Sequence, residues 1–464
     1  MANWTKPVNF DEVFIIRKGK SESEDKSANL TNGLTSFNYY ESIFSPVITS
    51  SLTFIDSGYT YYVENEGDTQ QRSGTVQSSL PIKGGESVKL IVKHPTGTLD
   101  FDDYPFVVDF IGKGKAESKQ QISSLHMVSE FGFINETTSV KHQVRNNITN
   151  SVRLILKDDL KVPDSKIRTE KTQNEAAFAG GGSTPFELIL HVAPESKPIK
   201  GSAGYFFYET YQGFNFRSID SLVRQAPIDH YTTDQDLSSA GRHANCRILD
   251  YYVVQNEDEL TKLRSGVYKS RLIGFDAAKQ EYCENEYDIT NLSDVWNIDM
   301  ATLGSNSFSE ELNMKYSFAD QINFNYTSDS EQSIFFPSSM IGMEQFLKDS
   351  DTQKVSNDAK QHRVISKMRY ISLLTQVMNI VVPANLKLHA GGTVELDFIK
   401  LSGGNLNEGV DDERLSGKYL IINLAHKFTR EANNASTTHM TVVRDTYGKY
   451  IPEVEDGTST VTES

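Results

Sequence analysis

Apolar and polar positions alternate through much of this chain, the period-two signature of half-buried strands. Residues 10–17 (FDEVFIIR) read as a strand, and residues 18–27 after it as a solvated loop. Residues 44–55 (FSPVITSSLTFI) alternate over a length that suits a long strand, with Asp56, Ser57 and Gly58 forming its turn. Residues 64–79 are polar and read as a flexible connection.

The pattern then occurs twice. GGESVKLIVK (84–93) and GGTVELDFIK (391–400) each open on a glycine pair and run into an alternating segment. Two further strand-like segments follow each in the same order. They are PFVVDFIGK (105–113) and ISSLHMVSE (122–130), against KYLIINLAHKF (418–428) and STTHMTVVRD (436–445). The expectation is a duplicated β unit, with Gly84 and Gly85 at a turn equivalent to that of Gly391 and Gly392. A glycine pair entering a strand suits positive φ or close backbone approach. Three strands plus the two before them suffice for a small antiparallel barrel. A duplicated unit lets one chain fill two near-equivalent places in a ring.

Between the copies the period changes. Val144, Ile148, Val152, Ile155 and Leu156 recur at helical spacing through residues 141–160, and Pro163 marks the stop. Thr184-Pro185-Phe186-Glu187 is a capping box with proline at the first helical position, opening a short helix to about Val192. GYFFYETYQGFNFRS (204–218) reads as a hairpin turning near Gln212 and Gly213. Asn256 to Glu259 signal another helix start, and residues 359–374 a further helix. Residues 285–360 are polar and read as an elaborated loop region; residues 376–382 lead as a strand into the second glycine pair.

Composition narrows the function classes. The 464 residues provide for two to four domains, and 25 Phe with 21 Tyr favour strands. No apolar run approaches the roughly 18–20 residues of a membrane-crossing helix, so no membrane insertion is expected. The first residues, MANWTKPVNFDEV, carry no charged-then-apolar leader, and the expectation is folding in a cytoplasm. Cys246 and Cys283 share no metal-type spacing and read as reduced core thiols. The formal net charge of −16 argues against tight duplex binding, and suits ordinary solubility or a wall past which nucleic acid slides.

Catalytic motifs fail on inspection. Gly19-Lys20-Ser21 resembles the end of a phosphate loop, but Phe14 stands where its first glycine belongs. Gly112 and Gly114 lack a third glycine at Glu117. No H-E-x-x-H or G-x-S-x-G occurs. His389, His426 and His439 fall at strand-like positions and read as packed or surface histidines. Neither a cofactor nor a metal is expected, and the chain reads as a non-enzyme. Arg217, beside Phe214 and Phe216, is either an interface anchor or the solvent end of an amphipathic strand.

Taken in order, these segments resemble the baseplate hub, or tail-tube initiator, of T-even-like contractile-tailed bacteriophages. FSPVITSSLTFIDSG (44–58) with LPIKGGESVKL (80–90) looks like that family's N-terminal barrel, and GYFFYETYQGFNFRSIDSL (204–222) like its internal hairpin. LKLHAGGTVELDF (386–398), SGKYLIINLAHKF (416–428) and THMTVVRDTYG (438–448) look like its C-terminal barrel. The resemblance implies a mainly β fold with an α+β insertion. Two similar small antiparallel β-barrels and a mixed middle domain would make up each chain, and chains would assemble as a ring-shaped homotrimer. The expected divisions are an N-terminal barrel (1–137), the first part of the middle domain (138–203) and a hairpin belonging to the second barrel (204–244). The second part of the middle domain (245–360), the C-terminal barrel (361–450) and an acidic tail (451–464) would follow. The implied partners are the tail tube protein, a central spike protein that can carry a lysozyme domain, and other baseplate proteins, with DNA only as passing cargo. The implied place is the virion tail. A hub of a phage-derived injection machine shares these marks; a baseplate carbohydrate-binding or hydrolytic protein would need exposed aromatics beside carboxylates.

Overall fold

The computed structural model describes residues 8–19, 25–56, 63–65, 68–70, 75–76, 80, 82–117, 120–233, 246–276, 281–290, 292, 298–315, 333–336, 352–399, 412–430 and 436–448. The fold is mainly β. In the first third run Asn9–Arg17 (β1), Lys26–Asn29 (β2), Leu34–Ser42 (β3), Thr49–Asp56 (β4), Val63–Asn65 (β5), Asp68–Gln70 (β6), Ser87–His94 (β7), Gly97–Asp100 (β8), Phe106–Glu117 (β9) and Gln120–Ser129 (β10). The middle holds Gln143–Asn147 (β11), Ile167–Thr169 (β12), Glu175–Ala179 (β13), Tyr205–Thr210 (β14) and Gly213–Ser218 (β15). His230–Thr232 (β16), Asp250–Asn256 (β17), Lys269–Asp276 (β18), Glu281–Asp288 (β19) and Ser333–Phe336 (β20) come next. Gln376–Pro383 (β21), Thr393–Asp397 (β22), Gly417–Thr429 (β23) and Thr437–Arg444 (β24) close the chain.

One sheet runs through both copies of the repeat, in the order β17-β21-β24-β23-β3-β4-β10-β9-β7-β1-β2-β5-β6. Its two halves bury separate cores. Phe37, Leu52, Phe54, Leu90, Val108 and Leu125 lie in the first, and Met378, Ile380, Val394, Leu396, Ile421 and Met440 in the second. The seam is the antiparallel pairing of β3 with β23, from Asn423 opposite Ser42 to Thr429 opposite Ser36.

Several sequence expectations are corrected here. β3 carries no strong alternation in sequence because Glu41 points into the core with Phe37 and Tyr39. The strand expected over 44–55 starts only at Thr49, just after Ser45, Pro46 and Val47 form the preceding turn, and Phe44 is exposed. The helical period over 141–160 splits. Residues 143–147 form β11, paired with β13; Asn147 then caps the helix Ile148–Leu154, which ends in a π-helical turn. Residues 64–79, read as a flexible connection, contain part of β5 and all of β6. The helix expected over 359–374 is Thr352–Leu373, so part of the polar 285–360 stretch is helical. Cys246 is half-buried rather than a core thiol. The acidic tail 451–464 lies outside the described residues.

The hairpin β14–β15 does not join the second barrel. It forms a three-stranded sheet with β12, which pairs parallel to β15. Both faces of β14 are buried. Tyr205 and Phe207 enter the core of the middle region; Phe206 and Tyr208 face Ile219, Leu373, Leu420 and Val443 on the other side. Among the described residues of 204–244, only β16 extends the second unit, running parallel to β22. The capping box forms: the Glu187 amide donates to the Thr184 hydroxyl, and the Thr184 amide to the Glu187 carboxylate.

Candidate functional site

The two β units match strand for strand. In the first, β4-β10-β9-β7 are neighbours; in the second, β21-β24-β23-β22. The Cα registers align as well. Ser87 opposes Val107 as Thr393 opposes Leu420, and Met127 opposes Ser50 as Val442 opposes Met378. Even the irregularity repeats. The β9–β10 ladder skips Asp109, and the β23–β24 ladder skips Ile422; a second shift of β9–β10, at Gly114–Lys115, has no counterpart in β23–β24. Asp109 and Ile422 each stand one residue after the strand position on which the glycine turn closes, Val108 or Ile421, so the bulge belongs to the unit.

That closure fixes the glycine equivalence, and it differs by one residue from the sequence expectation. Gly85 N donates to Val108 O at 2.8 Å, and Val108 N to Glu86 O at 2.9 Å. Gly391 N donates to Ile421 O at 2.8 Å, and Ile421 N to Gly392 O at 2.9 Å. Gly85 therefore corresponds to Gly391, and Glu86 to Gly392. Aligning glycine pair with glycine pair would set Val88 against Glu395 and turn one strand inside out. The observed register instead buries Val88 with Val394 and Leu90 with Leu396 in their cores. Gly84, Gly85 and Gly391 have φ of +101°, +86° and +78°; Gly392 has an ordinary φ but a close neighbour in Ile228.

Where the copies meet, buried polar groups tie them together. Glu41 on β3 accepts from the Tyr39 hydroxyl at 2.6 Å, from Tyr211 N at 2.8 Å and from Ala390 N at 2.8 Å. One carboxylate thus holds the first unit, the hairpin turn and the residue preceding Gly391. Burial pushes its pKa up despite these donors, and pushes the Tyr39 hydroxyl well above its usual range. Glu209 on β14 accepts from Ile48 N at 3.1 Å and the Ser129 hydroxyl at 2.6 Å; burial raises it to about 7. His426 lies over Tyr39 with ring centroids 6.1 Å apart, and burial depresses it to about 3.

Arg217 is half-buried and committed within its own chain. It donates to Gln225 Oε1 at 2.8 Å and to Ser221 O at 3.4 Å, and Gln225 Nε2 donates to Gly391 O at 2.8 Å. Two residues singled out separately in the sequence are thereby linked, through a glutamine that carries no sequence signal. His389 precedes β22 rather than lying in a strand, and His439 sits on β24.

The sheet face opposite the cores is covered at one end, where Leu420, Ile422 and Val443 pack with Tyr208 and Leu373, and open near the seam. Around the seam it forms an open cleft of about 510 Å³ between Tyr40, Thr49, Asn379, Asn423, Ala425 and Thr441. Along β3, β4, β21, β23 and β24 the outward positions near the seam are Ser36, Asn38, Tyr40, Ser42, Thr49, Ser51, Thr53, Asn379, Val381, Asn423, Ala425, Lys427, Thr437, His439 and Thr441. None is a carboxylate, although the chain carries 62 acidic residues. Near the seam this face presents hydroxyl and amide groups with Lys427 and His439, and no carboxylate. Among the described residues no group of three or more His, Cys, Asp or Glu side chains is placed to hold a metal ion, and no helix is long and apolar enough to cross a membrane.

Among solved structures, a tail protein from Neisseria meningitidis MC58 matches over 94% of this chain and 97% of its own, with a TM-score of 0.50 and 10% identity. The chain shares the fold of that tail protein. The 43 kDa tail protein of prophage MuSo2 from Shewanella oneidensis matches over 94% and 99% of the two chains, at a TM-score of 0.49 and 10% identity. A type VI secretion component from E. coli matches over 95% and 79%, at 0.40 and 8%. No protein-family model matches the sequence, and no curated protein matches it. The likeness to the Neisseria protein spans the repeat units and the region between them alike.

Proposed function

We propose that this chain is the structural hub of a contractile phage tail baseplate. Three copies form a ring with near-six-fold character, seating the hexameric tail tube on one side and a trimeric central spike on the other. The observation that carries this reading is the matched pair of β units, joined edge to edge within one chain by β3 and β23. Two such units per chain supply six similar positions from three chains, and a closed cyclic assembly needs one repeated heterologous contact. The tail-protein fold supports the place of action. In this reading the hydroxyl- and amide-lined face borders the passage for DNA, and its lack of carboxylates replaces the negative wall suggested by net charge.

The hub acts without catalysis. Perturbed carboxylates often mark active sites, but Glu41 and Glu209 are buried, and Glu41 spends both oxygens and Glu209 its Oε2 on donors within the chain. Imaging the assembled particle tests the proposal. Three copies between tube and spike are expected; a chain found elsewhere in the tail, or a monomer indifferent to tube and spike proteins, overturns it.

A further inference from the structure

Three parts of the chain meet around one small cavity: the first unit, the β14–β15 turn and the middle region. It holds about 20 Å³ and is lined by Tyr104, Phe131, Tyr211 and Phe214 together with Lys166 and Glu209. Glu209 is buried, and both of its donors, Ile48 N and the Ser129 hydroxyl, reach Oε2. Among the described residues no donor reaches its Oε1. Lys166 is half-buried at the same cavity. Its ammonium donates to Tyr211 O at 3.1 Å and lies 4.7 Å from the centre of the Tyr104 ring and 5.5 Å from that of Tyr211. Among the described residues that is its one hydrogen bond, and an ammonium has three N–H groups to give. The backbones on either side are fixed. A Cβ on Gly213 would lie 2.1 Å from Lys166 O, and Arg168 donates to the Gln212 side chain. Movement of the ammonium from the turn carbonyl toward Oε1 therefore needs only rotation of the lysine side chain.

We propose that Lys166 is a two-position latch driven by the proton on Glu209. Its ammonium bonds the Tyr211 carbonyl while Glu209 is protonated, and turns into the cavity to bond Oε1 once Glu209 is ionised. The inference is independent of the ring reading. Around Glu209 stand Lys166 from the middle region, Tyr211 from the turn, Asp100, Tyr104 and Glu130 from the first unit, and Tyr39 and Glu41 from β3. Lys166 is the one cation among the described residues lining the cavity, while Glu41 opposes ionisation. Burial raises Glu209 to about 7, against the pull of its donors and of Lys166, so the proton leaves near neutrality. Burial lowers the Lys166 ammonium, and Glu209 works the other way on it, as do Asp103 against Arg168. An ionised carboxylate with one oxygen lacking a donor is a costly thing to bury, and a cation within side-chain reach answers it. The latch keeps the turn joined to the middle region on both sides of pH 7. That joint reaches the seam, because Tyr211 N donates to Glu41, which also holds Ala390 N.

A double-mutant cycle on the full chain decides it, with Lys166→Met, Glu209→Gln and the double variant unfolded in urea at about pH 6 and about pH 8.5. The contacts of Lys166 with the turn carbonyl and the two rings cancel in the cycle, which leaves its coupling to residue 209. The expected coupling is small at the lower pH and at least ~tenfold in the unfolding equilibrium at the higher, the equivalent of about one pKa unit. Equal coupling at the two pH values overturns the latch and leaves Lys166 a fixed strap on the turn. Crystal structures of the unsubstituted chain at the same two pH values test the movement with no variant at all. Lys166 Nζ is expected within hydrogen-bond distance of Tyr211 O at the lower pH and of Glu209 Oε1 at the higher. An ammonium that keeps one acceptor at both pH values, whichever it is, overturns the proposal.

Discussion

The amide of Gly391 donates to the carbonyl of Ile421 at 2.8 Å, the closure that Gly85 makes on Val108 in the first unit. Equivalent backbone positions nonetheless have unequal surroundings. A Cβ on Gly391 would lie 2.1 Å from the Tyr208 hydroxyl, whereas one on Gly85 meets nothing within 4 Å. Both positions have positive φ. Gly85→Ala is therefore expected to cost about 1–2 kcal/mol from backbone conformation alone. Gly391→Ala adds a clash with a buried tyrosine and is expected to cost at least about 3 kcal/mol. Gly392→Ala meets the flexible tip of Ile228 at 2.4 Å and, less closely, the His389 carbonyl at 3.2 Å, and falls between them. Thermal unfolding of the three variants checks the order; equal shifts for Gly85→Ala and Gly391→Ala would falsify this account.

Arg369, on the helix Thr352–Leu373, is fully buried between two carboxylates, 3.2 Å from Asp220 and 3.6 Å from Asp445. It also donates to Ala301 O at 2.7 Å. Replacing it by methionine leaves two buried acids without their cation, which typically costs about 3–5 kcal/mol. Arg369→Lys is expected to rescue little, because a single ammonium cannot reproduce the forked contacts. A melting temperature for Arg369→Met close to that of the parent chain would show that the cluster contributes no net stability.

Legibility in the sequence followed the clarity of the period. The three strands after each glycine pair were readable because Val88, Leu90, Val394 and Leu396 alternate cleanly with polar neighbours. β3 was not, since the buried acid Glu41 occupies a core-facing position and breaks the apolar pattern. The glycine pairs misled by one residue because identity of letters outweighed the face each strand must present. The allegiance of the hairpin was hidden for the opposite reason: every residue of β14 is buried, so no face marks its partner. Of the site, Arg217 and the glycines were visible, whereas Gln225 and Ala390, which join them to the seam through ordinary polar and backbone groups, had no signature.

Glu209 predicts a stability change with pH. Its folded pKa of about 7 lies above the ordinary carboxylate value of 4.5. Between these values the folded state binds more protons than the unfolded one, so this residue's contribution falls as pH rises from about 4.5 to 7. Both of its donors, Ile48 N and the Ser129 hydroxyl, reach the same oxygen, Oε2. Glu209→Gln can keep that acceptor while losing the charge. The expected outcome is a flatter stability profile over this range and equal or greater stability at pH 8, by a few kcal/mol at most. Urea unfolding at several pH values measures it, and an unchanged slope rules out Glu209 as the titrating group.

His426 titrates with the opposite sign at the seam itself. Burial depresses its pKa from 6.5 to about 3, and its Nδ1 lies 2.9 Å from the Thr438 hydroxyl. Below about 6.5 the unfolded chain takes up a proton that the folded chain refuses until about 3, so stability is lost as pH falls through that window. His362, depressed to about 4 by burial, adds to the same loss. Because His426 lies over Tyr39 and beside Phe428, charging it works against the packing between β3 and β23 that holds the two units together. His426→Gln is expected to lower stability at pH 7 by losing the ring contacts, yet to flatten the decline between pH 6.5 and 4. The informative quantity is the slope of stability against pH. A parent and a variant with parallel slopes would place acid sensitivity elsewhere in the chain. A flattened slope, with slower amide exchange along β3 at pH 5 than in the parent, would locate it at the seam.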